Sequence, residues 1–212
     1  VLGTINTANN LTVNAVGITQ NAGGLAVGGV AAFNGGAGVI TLTTAGNDFS
    51  GAVSLNNSGV NNVAVTDANA IDLGASTVSG ALAVTATTGN ITDSGAITVT
   101  GNSTFTANAA GVSITLDNAN TFTGTVTFGG AGGLANVTVS DSTAFDLAAL
   151  TLTGNLSVTA GGAITDSGTL TIGGTTTLNA GAGNNLTLDQ ALSTFGALAL
   201  TGNNVNITEN AA

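Results

Sequence analysis

Ile91-Thr92-Asp93-Ser94-Gly95 returns as Ile164-Thr165-Asp166-Ser167-Gly168, 73 residues further on, and Ile18-Thr19 stands the same distance ahead of the first copy. Phe49, Phe122 and Phe195 keep that interval too, in the runs Asn47-Asp48-Phe49-Ser50-Gly51, Asn120-Thr121-Phe122-Thr123-Gly124 and Ser193-Thr194-Phe195-Gly196. One-residue slips between these anchors fall in Gly, Asn and Ala stretches, where a turn absorbs them. Self-similarity at a fixed period is the mark of a solenoid, in which each unit stacks on its neighbours. The anchors divide the chain into a partial repeat over 1–17, full repeats over 18–90 and 91–163, and a partial repeat over 164–212. The expectation is one β-solenoid segment, 1–212, belonging to a longer array or fibre.

A smaller unit lies inside the long one: Gly or Asn, then an apolar residue four positions later. It runs from Asn9 to Val13, Gly29 to Phe33, Gly51 to Leu55, Gly80 to Val84, Gly101 to Phe105, Gly124 to Phe128, Gly154 to Val158, Gly174 to Leu178 and Gly196 to Leu200. Alternating segments such as Leu82-Ala83-Val84-Thr85 follow, with the period of two of a strand. Gly, Asn, Ser and Asp separate the segments and supply turn conformations. Nothing has helical periodicity with caps. The pattern predicts an all-β, parallel β-helix of about nine coils, 20–30 residues each, with three coils per 73-residue repeat. Parallel crossovers make it right-handed. Phe105 and Phe128 hold the same position in successive coils and are expected to stack in the core, with Phe122 and Phe145 as a second pair on another face.

Composition bounds the partners. The 212 residues include 43% hydrophobic residues, enough for a core, built from Ala, Val, Leu, Ile and seven Phe. Richness in Val, Ile and Thr argues against disorder. All ten charged side chains are acidic, and Lys, Arg and His are absent. Without cations the chain cannot neutralise a nucleic acid backbone, nor be drawn to anionic lipid. No apolar run approaches the length of a membrane-spanning helix. The missing Cys rules out disulfides and thiolate metal sites.

Seven acids recur just after a strand: Asp67, Asp93, Asp117, Asp141, Asp166, Asp189 and Glu209. Read as one position in the coil, they make a column of carboxylates about 5 Å apart. Either each one caps a turn by accepting backbone N–H bonds, or neighbouring carboxylates share Ca²⁺, a hard cation that takes oxygen ligands. The nonapeptide calcium pattern is not met: Gly35-Gly36-Ala37-Gly38 and Gly129-Gly130-Ala131-Gly132 both lack its Asp. No other cofactor is expected. Asp67 with Asp72, or Asp141 with Asp146, has the formal spacing of a glycosidase pair, but turn capping explains both. Nucleophile systems that need His or Cys are excluded, and the chain is read as having no catalytic residues and not being an enzyme. The Thr-x-Thr runs are ordinary outward strand positions.

Gly154-Asn155-Leu156-Ser157-Val158-Thr159-Ala160-Gly161-Gly162-Ala163-Ile164-Thr165 and Leu116-Asp117-Asn118-Ala119-Asn120-Thr121-Phe122-Thr123-Gly124 carry a likeness. Over nearly its full length the chain resembles the repeat regions of filamentous-haemagglutinin-like exoproteins of Gram-negative bacteria, including adhesins secreted by the two-partner route. The resemblance implies export, an extracellular or cell-surface location, and a structural or adhesive role. The leading expectation is an extracellular shaft or fibre-forming segment. Its partners would be other copies or neighbouring coils, stacked end to end through strand edges that neither Pro nor Lys blunts. The alternative is an adhesin passenger that binds cell-surface carbohydrate along its flank.

Overall fold

The strand Leu82–Ala86 shows how the local rule builds the rod. Leu82, Val84 and Ala86 point inward and are buried, while Ala83 and Thr85 point outward. On either side it pairs in parallel, so that Val65, Val84, Phe105 and Phe128 fall in one inward column. Each turn adds one such layer. The computed structural model describes residues 1–210, and they form a parallel β-solenoid without a helix. Its walls are a ten-stranded sheet, a thirteen-stranded sheet and a three-stranded sheet confined to the first turns. A single apolar core runs through the stack from Ile18 to Leu188.

The ten-stranded sheet counts the turns. It receives one strand per turn, from Ile18–Thr19 to Val205–Ile207, which makes ten turns of about 21 residues rather than nine. The Gly-x-x-x-apolar signature misleads because it marks any corner followed by an inward side chain. Asn9, Gly29 and Gly51 introduce strands of the thirteen-stranded sheet, Gly80, Gly101 and Gly124 introduce strands of the ten-stranded sheet, and Gly154, Gly174 and Gly196 return to the former. The two long gaps in the series are therefore more than one turn.

A 73-residue repeat then covers about three and a half turns, not three. Ile18 and Ile164 both lie in the ten-stranded sheet, whereas Ile91, midway between them in sequence, lies in the thirteen-stranded one. Each repeat thus begins on the other side of the rod from the one before.

Close stacking restricts the corners. A Cβ on Gly101 would sit 2.6 Å from the Gly80 carbonyl, and one on Gly124 would sit 2.5 Å from the Gly101 oxygen. Only glycine lets those corner backbones approach within one layer spacing.

Candidate functional site: a buried polar corner in each repeat

The acids do not form one column. Asp67 and Asp166 end strands of the ten-stranded sheet, and Asp189 and Glu209 lie just beyond two others. Asp93 and Asp141 end strands of the thirteen-stranded sheet, within which Asp117 also lies. Their cross-strand partners are apolar or amide residues: Ala86 for Asp67, Leu73 for Asp93, Ala160 and Asn120 for Asp141, and Leu147 for Asp166. The half-turn advance is the reason, since it carries residues 73 apart to different sheets. Asp67, Asp93, Asp141 and Asp166 are buried, and Asp117, Asp189 and Glu209 are exposed.

The buried members belong to a three-layer corner that recurs once per repeat: Gln20, Asn47 and Asp67; Asp93, Asn120 and Asp141; Asp166, Ser193 and Glu209. The hydrogen bonds repeat with the residues. The middle residue accepts the N–H of Leu25, Ile97 or Leu170, through Asn47 Oδ1, Asn120 Oδ1 and Ser193 Oγ respectively. The third accepts the N–H of the anchor phenylalanine, Phe49 to Asp67, Phe122 to Asp141 and Phe195 to Glu209. First and middle residues are joined directly in two corners: Gln20 with Asn47, and Asn120 Nδ2 donating to Asp93 Oδ2 at 2.8 Å. Asn47 and Asn120 also donate to the backbone carbonyls of Leu42 and Leu116. In the second and third corners the first carboxylate accepts the N–H of the acid one turn on, Asp117 to Asp93 and Asp189 to Asp166.

A corner between sheets cannot close its backbone ladder, and buried N–H groups without partners are costly. Short polar side chains fill that need from within. The chain contains no cation to balance them. Burial accordingly pushes the Asp67 carboxyl up, against the N–H bonds of Asn69 and Phe49, and the charge of Asp48 adds to the rise. Asp166 is raised for the same first reason, against the N–H groups of Asp189 and Gln190 and with the Asp189 charge adding. Asp72 and Asp146 are held differently: each carboxylate accepts hydroxyl bonds from the next turn, Thr92 and Ser94 in one case, Thr165 and Ser167 in the other. Among the described residues no group of three or more acids is placed to hold a metal ion.

Phe105 and Phe128 stack as expected, with centroids 5.9 Å apart and planes 21° apart. Phe122 and Phe145 do not pair with each other. Phe122 meets Phe105 edge-on at 5.8 Å, and Phe145 stacks on Phe128 at 6.5 Å, so the four rings form one string. The cause is a two-residue register shift: Val126 pairs with Leu147, not with Phe145. Asn47, Asn120 and Ser193 were absent from the sequence-based candidates, although each stands two residues before an anchor phenylalanine.

Stacked parallel turns, an internal core and a corner repeated with the sequence define a β-solenoid repeat protein, an architecture typical of structural proteins. More narrowly, the chain belongs to the family described as repeats of unknown function (DUF5649), matched over residues 1–56, 60–129 and 134–202. The matched stretches end at Asn56, Gly129 and Gly202, again 73 residues apart. No curated protein and no solved structure matches.

Proposed function

We propose that the chain is a shaft segment of an extracellular or cell-surface bacterial protein, extended by stacking coil upon coil. One observation carries the reading: a parallel ladder continues without a missing strand through ten turns over an uninterrupted core. Membership of a repeat family and the resemblance to filamentous-haemagglutinin-like exoproteins point the same way. The buried side chains that could do chemistry are occupied in capping backbone, which suits a scaffold. Imaging the parent protein by cryo-electron microscopy tests the proposal. Long rods with a repeat of about 4.8 Å along the axis support it; a compact particle in which this segment packs laterally into other domains overturns it.

A second reading is a passenger that binds neutral carbohydrate along its side. Thr92, Thr115, Thr138, Ser157 and Thr177 form an in-register outward row of hydroxyls that favours it. Saturable, sugar-inhibited attachment on a glycan array would place that reading first.

A further inference from the structure

The wall of the rod is not equally closed everywhere. Strand Val126–Gly129 pairs at four positions with the turn before it, Ser103 to Val126 through Thr106 to Gly129, but with the turn after it at Val126 and Leu147 alone. Thr127, Phe128 and Gly129 run on without a paired residue on that side. Strand Leu134–Asp141 likewise meets Leu150–Leu152 at a single position, Leu134 with Leu152. The two turns differ in length here: Gly130-Ala131-Gly132-Gly133 bridges the sheets in one, and only Ala148-Ala149 in the next. The longer glycine bridge overhangs the shorter one and leaves a notch in the flank.

The notch has a volume of about 440 Å³, with Phe128, Leu134 and Leu150 below and Thr151 and Thr169 at the rim. Phe128, at 7% exposure, and Leu150, at 6%, are the most open large side chains of the core. A Cβ on Gly129 would meet nothing within 4 Å, and its φ is not left-handed. No charged side chain lines the notch.

We propose that this notch takes an extended strand of a partner polypeptide, neutral or basic, whose backbone pairs with Thr127–Gly129 and whose apolar side chain rests on Phe128 and Leu150. The chief hydrogen-bonding capacity offered is a run of strand backbone without ladder partners, and that is what strand addition uses. An apolar floor beside such an edge supplies the pocket for an alternate side chain. Charge selects the partner. A chain with ten acids and no cation repels acidic peptides and attracts basic ones. A glycan fits less well, since the notch offers neither indole nor phenol for a sugar ring to stack on, and side-chain polarity is limited to threonine hydroxyls. The assignment does not depend on the shaft reading.

The test is a titration of the isotope-labelled 212-residue chain, followed through its backbone amide resonances, with an acetylated and amidated Lys-Val-Thr-Val-Thr pentapeptide. Saturable shifts are expected at Thr127–Gly130 and Leu150–Thr151. They should weaken at least tenfold with a peptide N-methylated at alternate bonds, which cannot pair, and with a Glu-Val-Thr-Val-Thr peptide. Gly129→Val, which fills the notch, should abolish them with the melting curve unchanged; Gly129→Ala is the smaller filling should valine impair folding. The N-methylated comparison on the unaltered chain needs neither variant. Amides that stay unmoved at millimolar peptide, equal binding of the N-methylated peptide, or shifts produced by cellobiose and not by the pentapeptide each overturn the proposal.

Discussion

The first and second polar corners are the same device made from different atoms. Gln20, Asn47 and Asp67 hold one carboxylate and two amides, whereas Asp93, Asn120 and Asp141 hold two carboxylates around one amide. Both give the anchor phenylalanine N–H an acceptor, and both give the next inward strand its first bond. The geometry therefore fixes where acceptors must stand and is indifferent to their charge. What differs is the consequence of losing a partner: a stranded amide in one corner, a stranded carboxylate in the other.

Asn120→Ala should give the largest effect. It removes the acceptor of Ile97 N–H and the amide that satisfies Asp93, a loss of about 4 kcal/mol at neutral pH. Acidification should shrink that loss as Asp93 takes up a proton, and thermal melts at pH 7.5 and 4.5 measure the change. Asn47→Ala should lose about 3 kcal/mol, because its partners are Gln20 and backbone groups, and the loss should vary less with pH. If the two variants respond alike to acid, the distinction between the corners fails.

Phe105→Leu should lower stability by about 1–2 kcal/mol, since Phe105 touches both Phe122 and Phe128. A control change at Phe195, outside the string of four, should cost less by the same melt.

The pH dependence of the unaltered chain has a definite sign. Asp67 and Asp166 have folded pKa values above their unfolded ones. Between those values the folded state binds more protons, so these two groups make the rod more stable as pH falls through the raised pKa. Above it their burial as anions is a standing cost. Asp67→Asn should flatten this part of the slope, and denaturant midpoints from pH 7.5 down to 4.5 would reveal it.

The smallest change is a gain. Thr176 is buried in the column of Ile114, Val137 and Leu156, and its hydroxyl has no partner. Thr176→Val should raise stability by about 1 kcal/mol in a chemical denaturation curve.

Strand alternation, corner glycines and the solenoid class were legible because they depend on neighbours a few residues apart. So was the Phe105–Phe128 stack, which lies between adjacent turns. The turn count, the Phe122 and Phe145 contacts and the acid placement were not, because each depends on how many residues fill a turn. Leu82 and Gly80 look alike as starts of a coil whichever sheet they enter. The corner asparagines escaped notice for a related reason: Asn47 and Asn120 read as loop residues until the fold closes over them.

The half-turn carried by each repeat has a consequence for how such arrays change. Tandem copies are gained and lost as whole units, and here one unit is an odd number of half turns. Adding or deleting a single copy reverses the side on which every downstream feature is displayed, while adding or deleting a pair only lengthens or shortens the rod by about seven turns. Copy number in this family is thus also an orientation setting, and parity is the quantity on which selection for a one-sided surface would act.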